Sequence, residues 1–454
     1  MRSGKRKSSF GVFLFFGLLI AGSAYVYKST MFERDIPQIN LSTNGYWNLK
    51  DPMQLTINDA SGLKFYKVTL KGKDFETDLG SERFMQPKGS VDFEIKAPAN
   101  AYTIRDTVLK VKVEAIDASK WNFFNGNIAT KEFDLQIDKK RPFLNVIANS
   151  YKISKGGSAV VIFKATDENL QNIYIEVGDK KFKPEPFYKE GYYISLLAWS
   201  MKENNFRATI VAEDRAGNIS QSYIPLYLMH KDYKVSNMKI SDNFLKGKIY
   251  ELAGEFEETQ GVDDSLQQFK IINETIRAKN EALIHKITSE VPNEMISNFN
   301  IEIMYPLKNA QVVAHFGDHR LYSYEGKALS ESYHMGLDLA SNAFAEITPQ
   351  NGGDVVFADY NGLYGNMPII SHGLGLYTLY GHCSKLNVTR GDHIAPKTVI
   401  ANTGKSGYAM GDHLHFGVLV QGIEVRPQEW MDKSWIKLNI TDVIENAKKT
   451  IEKS

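Results

Sequence analysis

Residues 10–27, FGVFLFFGLLIAGSAYVY, contain no charged side chain, and Lys28 closes the run. A segment without a polar face cannot lie on the surface of a globular domain as an ordinary amphipathic helix. Eighteen helical residues span about 27 Å at roughly 1.5 Å per residue, close to the apolar thickness of a bilayer. Arg2, Lys5, Arg6 and Lys7 precede the run with no acid among them, which favours an N-terminus held in the cytoplasm. Small residues at Gly22, Ser23 and Ala24 also suit a cleaved signal peptide, but the length of the run favours an uncleaved anchor. Either reading exports residues 30–454.

The exported part must fold on its apolar cores. Cys383 is the single cysteine, so neither an intrachain disulfide nor a cysteine-based zinc cluster can form. Aromatic residues make up 12% of the 454 residues, enough to fill the cores of roughly three domains. Lys and Arg number 54 against 53 Asp and Glu. Without a basic excess, a nucleic-acid partner is not expected.

Residues 30–230 read as strands. MQLTIND (53–59), VLKVKVEAID (108–117), SAVVIFKATD (158–167) and FRATIVAED (206–214) alternate or run apolar between Gly, Asn and Asp clusters. Pro37/Pro142, Asp59/Asp167 and Asp117/Asp214 are matched points 105, 108 and 97 residues apart. That period suits two copies of a small β-sandwich. Asp214-Arg-Ala-Gly-Asn218 resembles a turn common in bacterial immunoglobulin-like domains. From Asp264 to Ser289 the pattern changes: Leu266, Phe269, Ile272, Ile276, Leu283 and Ile287 recur near helical spacing, with Asp263 and Asp264 as caps. Residues 440–454 read as a short, polar, peripheral amphipathic helix.

Eight of ten histidines fall between residues 315 and 415. Singly, each is read as a partly buried polar residue; together they point to metal binding or catalysis. HLHFGVLV (413–420) reads as a strand, which places His413 and His415 on one face and Leu414 and Phe416 on the other. In His334-Met-Gly-Leu-Asp338 the pair would lie about 13 Å apart on a straight strand, but Gly336 permits a bend that restores proximity. Two imidazoles and a carboxylate suit zinc with one position left for water. His382 follows the strand LYTLYGH (376–382). Its neighbour Cys383 should face away from it, which argues against a Cys–His nucleophile.

Five blocks in order, SYHMGLDLA (332–340), GNMPIISHGLGLYTLYGHCSKL (365–386), VTRGDHIAP (388–396), IANTGKSG (400–407) and GDHLHFGV (411–418), followed by Val425-Arg-Pro427, resemble the lysostaphin-type zinc metallopeptidases. These are peptidoglycan endopeptidases of the duplicated hybrid motif, whose fold is a compact β-rich groove. The resemblance covers residues 305–432. It implies one Zn2+ held by His334, Asp338 and His415, with His382 and His413 as unliganded catalytic residues. Asp412 stands where Pro is frequent and Lys397 where Gly is frequent. His315, His319, His372 and His393 match no family role; His372 is read as structural and His319 as a groove residue.

The expected chain is mainly β. An anchor over 1–29 leads to immunoglobulin-like sandwiches over 30–139 and 140–230. A helical linking segment over 231–300, a peptidase domain over 301–436 and a terminal helix over 437–454 follow. The resemblance implies zinc-dependent hydrolysis of peptide cross-links in peptidoglycan, beside the inner membrane on its periplasmic side. The β-repeats hold no ligand cluster and are expected to place the enzyme or to grip an envelope partner protein. The alternative is a catalytically silent wall-binding or activator protein on the same scaffold, which the presence of all five polar residues disfavours.

Overall fold

The computed structural model describes residues 10–453; Arg2, Lys5, Arg6 and Lys7 lie outside them. Phe10–Lys28 is one helix. Among the described residues it is the one helix long and apolar enough to cross a membrane. Its large side chains, Phe13, Phe15, Leu18 and Ile20 among them, are exposed. The rest of the chain is mainly β and divides into two compact units.

The first unit runs to Pro142 and includes 168–171 and 213–219. Its strands form a single six-stranded sheet rather than two separate ones. The reason lies in two long strands, Met53–Lys71 and Glu76–Ile95, which pair with each other along most of their length. The first half of Met53–Lys71 pairs with Gln38–Leu41 and the second half with Val108–Asp117. The ladder is irregular between Asn58 and Leu63, where Gly62 takes φ +86°. A bend there lets one sheet close over its own core, in which Ile39, Leu55 and Ile57 share a cluster with Val68, Val111 and Val113. Asp117 is fully buried. It accepts from the backbone N–H of Ser119 and Asn127 and from Asn127 Nδ2. Asp214 accepts likewise from the backbone and side chain of Asn218. The matched aspartates of the sequence repeat are thus both turn clasps.

The second unit takes in the remaining described residues, from Phe143 onward. Two four-stranded sheets come first, in the spatial orders 180–182, 170–177, 208–214, 219–223 and 185–186, 192–198, 158–166, 143–149. Ser158–Phe163 is buried at every position. Strands covered on both faces lose the in–out alternation, and one face here meets the C-terminal helix Asp442–Glu452. That helix is therefore not peripheral: Val443, Ile444, Ala447 and Ile451 are buried. Its polar stretch hides a narrow apolar stripe with i, i+3/i+4 spacing.

The predicted helix over 264–289 is continuous in three parts, Ser265–Lys270, Ile271–Ile276 and Arg277–Thr288. Asp264 caps it by accepting from Leu266 N–H. The middle part is a wider π-type turn, which advances the phase of everything after it. Phe269, Ile272 and Ile276 are buried as expected, whereas Ile284 takes the core position in place of Leu283, which is exposed. This segment and Leu245, Ile249 and Leu252 share one core with Met367, Ile369, Leu379 and Leu419 of the large sheet.

That sheet has eight strands. Its central order is Gln311–Ala314, Leu337–Ala340, Leu414–Val420, Leu376–Gly381, Asn366–Ser371 and Gly353–Tyr360. Leu376–Gly381 and Leu414–Val420 are buried at every position, so the middle of the sheet is covered on both faces.

One group in this unit works against it. Glu185 is buried, and neither carboxylate oxygen has a hydrogen-bond partner among the described residues. Burial, and then the nearby Glu294, push its carboxyl up to about 7, against the pull of Lys183. A raised carboxyl pKa makes the folded state the better proton binder, so stability is lost as pH rises from about 4.5 to 7. We expect Glu185→Gln to raise Tm at pH 7.5 and to do so much less at pH 5. Thermal melts at both values check this, and an equal effect at both would contradict it.

Candidate metal centre

Three adjacent strands of the sheet carry the chemistry. Leu337–Ala340 pairs antiparallel with Leu414–Val420 so that Asp338 stands opposite His415. Leu376–Gly381 flanks the same strand on its other side, with Gly381 opposite His415 and His382 next in the chain. His334 ends the preceding strand, Lys327–His334, and the chain turns at Met335-Gly336 before Leu337. This turn brings the i, i+4 pair His334 and Asp338 together.

His334 Nε2 lies 2.9 Å from Asp338 Oδ1 and 3.1 Å from His415 Nδ1, and His415 Nδ1 lies 2.9 Å from the same Asp338 oxygen. His334 Nδ1 lies 2.9 Å from the carbonyl of His315. A carbonyl only accepts, so the proton of a neutral His334 is on Nδ1, and Nε2 is a lone pair. The centre therefore gathers a bare imidazole nitrogen, a second imidazole nitrogen and a carboxylate oxygen at about contact distance. A cation among them can take the place of a proton shared between His415 Nδ1 and Asp338. His334, Asp338 and His415 can hold a metal ion, and a nitrogen–nitrogen–oxygen set suits Zn2+.

Burial pushes His415 down, and it pushes Asp338 up, but the facing His334 and His415 hold the Asp338 carboxyl well below the usual range. Both charge states are the ones that ligate.

His382 and His413 stand beside these three. Their rings are 4.8 Å apart, and the ring of His382 is 5.9 Å from that of His415. His413 Nε2 is 3.7 Å from Asp338 Oδ1. His382 Nδ1 donates to Ser406 O and His413 Nδ1 to Gly411 O, so by the same logic each keeps Nε2 as an acceptor. Burial, then the neighbouring His413 and His415, push His382 down to about 3, so it is neutral at pH 7. It has φ +65°, a strained conformation for a non-glycine residue that recurs at functional sites. Strand alternation thus does not decide where Cys383 points. Cys383 is excluded as a nucleophile by burial, which pushes its thiol up to about 12, and by its bond to Tyr380 O.

All five residues line one groove of about 580 Å³. Several lining residues carry no motif. Arg320 reaches toward the second Asp338 oxygen at 3.9 Å and toward Asp318 at 3.5 Å. Buried Tyr364 sets its ring edge-on to His415 at 5.4 Å. Met238–Ser241, Phe244 and Arg277 come from the segment before the domain. No local pattern marks these positions; Arg320 is brought there by the pairing of its strand with the one that ends at His334.

The other histidines lie elsewhere. His319 stacks on Tyr333 and meets Glu331, outside the groove lining. His372 is tied to Gly352 O and Thr378, and His393 pairs with Asp354 at the surface. Asp412 is occupied by Phe344 N–H and Thr403 Oγ1. Lys397 adopts φ +66°, which explains why glycine suits that position.

Residues 332–427 match the family model of Peptidase family M23. The chain carries an M23 peptidase domain. Over 106 residues it is 31% identical to Stage II sporulation protein Q of Bacillus subtilis, covering 22% of this chain and 38% of that protein. It is 30% identical over 129 residues to DD-carboxypeptidase/endopeptidase Mpg of Neisseria meningitidis, covering 28% of each. It is 28% identical over 113 residues to Murein hydrolase activator EnvC of Escherichia coli, covering 25% of this chain and 27% of that one. The chain spans less than two fifths of the length of these relatives.

Within the M23 domain Gly336 has a spatial rather than a conformational role. A Cβ there would lie 2.6 Å from His415 Nε2 and 2.7 Å from Phe416 O. We expect Gly336→Ala to displace His415 and weaken metal binding about 10–100-fold, as loss of a ligand's support typically does. Competition with a zinc chelator measures this; unchanged affinity in a folded variant would contradict it.

Proposed function

We propose that this chain is a membrane-anchored Zn2+ endopeptidase that hydrolyses peptide cross-links of peptidoglycan. The observation that carries the proposal is the convergence of His334, Asp338 and His415 beside two further imidazoles whose Nε2 atoms are free to accept protons. In this reading His334, Asp338 and His415 hold one Zn2+ per chain, with Phe10–Lys28 in the inner membrane and residues 30–454 on the periplasmic side.

When bound, Zn2+ supplies a Lewis acid and lowers the pKa of a coordinated water toward about 7. The chain does the rest. His334 is held by His315 O in the tautomer that ligates. Arg320 faces the Asp338 oxygen that the histidines do not use and steadies the carboxylate. His382 and His413 take and return protons between water, the scissile amide and the leaving amine. Their Nδ1–H bonds to Ser406 O and Gly411 O fix both rings for that work. The buried sheet behind them excludes bulk water.

The name of the Neisseria relative includes endopeptidase activity, which supports a wall peptide as substrate; that of the Escherichia coli relative supports the silent alternative. The full complement of five polar residues favours catalysis.

The test is incubation of the full chain with purified sacculi, followed by muropeptide separation. Cross-linked dimers should fall and monomers rise; new glycan ends or released stems with cross-links intact would refute the assignment. His382→Ala and His413→Ala should each lower the rate about 10²–10⁴-fold while zinc stays bound. Loss of zinc from His413→Ala with retention in His415→Ala would mean that ligand and base are exchanged.

A further inference from the structure

The loop Ser119–Gly126 in the first unit displays its aromatic residues outward. Phe123 and Phe124 are 91% and 70% exposed and Trp121 is 37% exposed. Asn122, Phe123 and Phe124 have φ of +55°, +55° and +67°. Three consecutive non-glycine residues in the left-handed region are a strained run. The turn is fixed by Phe124 N–H on Lys120 O and Asn125 N–H on Asn122 O. A folded domain in water gains nothing from holding two phenylalanines in this strained, exposed form.

The loop's position is fixed by the chain just after the apolar helix. Lys120 N–H donates to Met31 O, and Ser119 Oγ and Asn127 Nδ2 donate to Glu33 O. Met31 is three residues beyond Lys28, the end of the helix. Three residues reach at most about 11 Å. Arg34 joins the two parts directly, lying 5.1 Å from the ring centre of Tyr27 and 4.3 Å from that of Trp121. Lys120 precedes Trp121 in the chain, and Lys64 Nζ donates to Asn125 O. The Glu33 carboxylate turns inward toward Asp59 and Asp117.

We infer that this loop is a membrane-docking element: Trp121, Phe123 and Phe124 enter the interface of the same bilayer that Phe10–Lys28 crosses, with the cations at the level of the headgroup phosphates. Aromatic rings at the headgroup boundary flanked by Lys and Arg are what that interface accommodates. The occupant is phospholipid, because a short tether places the loop there whatever else the domain contacts. Two attachments, one spanning and one interfacial, hold the first unit down against the membrane. The inference rests on the reading of Phe10–Lys28 as an anchor.

The test uses the full chain in vesicles of phosphatidylcholine and phosphatidylglycerol, with and without bromine on the acyl chains. Flotation with the vesicles tests the anchor separately. Trp47, Trp199 and Trp430 are buried, and Trp435 is half-buried in the second unit, so lipid-borne bromine should quench Trp121 above the others. Part of the wild-type emission should be lost with brominated lipid, and Trp121→Phe should abolish that loss. Moving the probe, with Phe123→Trp in the Trp121→Phe background, should restore it. If the anchored wild-type chain shows no bromine quenching, the loop faces water or a protein partner and the inference falls. Equal quenching in wild type and Trp121→Phe, or no recovery on moving the tryptophan, also overturns it.

Discussion

The site depends on three potential ligand atoms held together. His334 Nε2, His415 Nδ1 and Asp338 Oδ1 sit near 3 Å from one another, close enough for one cation to meet all three. The fold maintains it from several directions. Antiparallel register sets Asp338 against His415, the carbonyl of His315 sets the tautomer of His334, and Gly336 leaves the space that the His415 ring occupies. Displacing any of these loosens the centre, because each fixes the place of one of the three atoms.

The face of the sheet that carries the site is covered beside it. Helical residues Leu245, Ile249, Phe269, Ile272 and Ile276 complete a core with Leu379 and Leu419, and Leu419 shares the face of His415 on its strand. The same segment supplies Phe244 and Arg277 to the groove. The region ahead of the M23 domain is thus part of the wall of the site. The strand Ser158–Thr166 lies in the same compact unit; Glu429, buried near the end of the M23 domain, accepts from Ser158 N–H. Burial pushes that carboxyl up to about 7.

Much of the site was legible because its residues come in short spacings. Strand alternation links His413 to His415, and one turn links His334 to Asp338, so local geometry carries the information. His382 was legible through the run of five blocks rather than through geometry, and its left-handed backbone was not foreseeable from LYTLYGH. Arg320, Tyr364 and Arg277 were not legible. Each reaches the groove through long-range packing that no local period encodes. The fold shows the same division. The strand patterns located Met53, Val108 and Ser158 well, since alternation is local. The closure of one bent sheet over its own core, the π-type phase shift that exchanges Leu283 for Ile284, and the burial of the C-terminal helix all depend on which surfaces meet.

The proposed zinc site uses nitrogen and oxygen ligands alone. X-ray absorption at the zinc edge of the purified full chain reads those ligands. One zinc per chain is expected, with imidazole scattering from two histidines and a first shell at about 2.0–2.1 Å with no sulfur. A shell at about 2.3 Å, which marks thiolate and would implicate Cys383, or a folded chain that takes up no zinc, would contradict it.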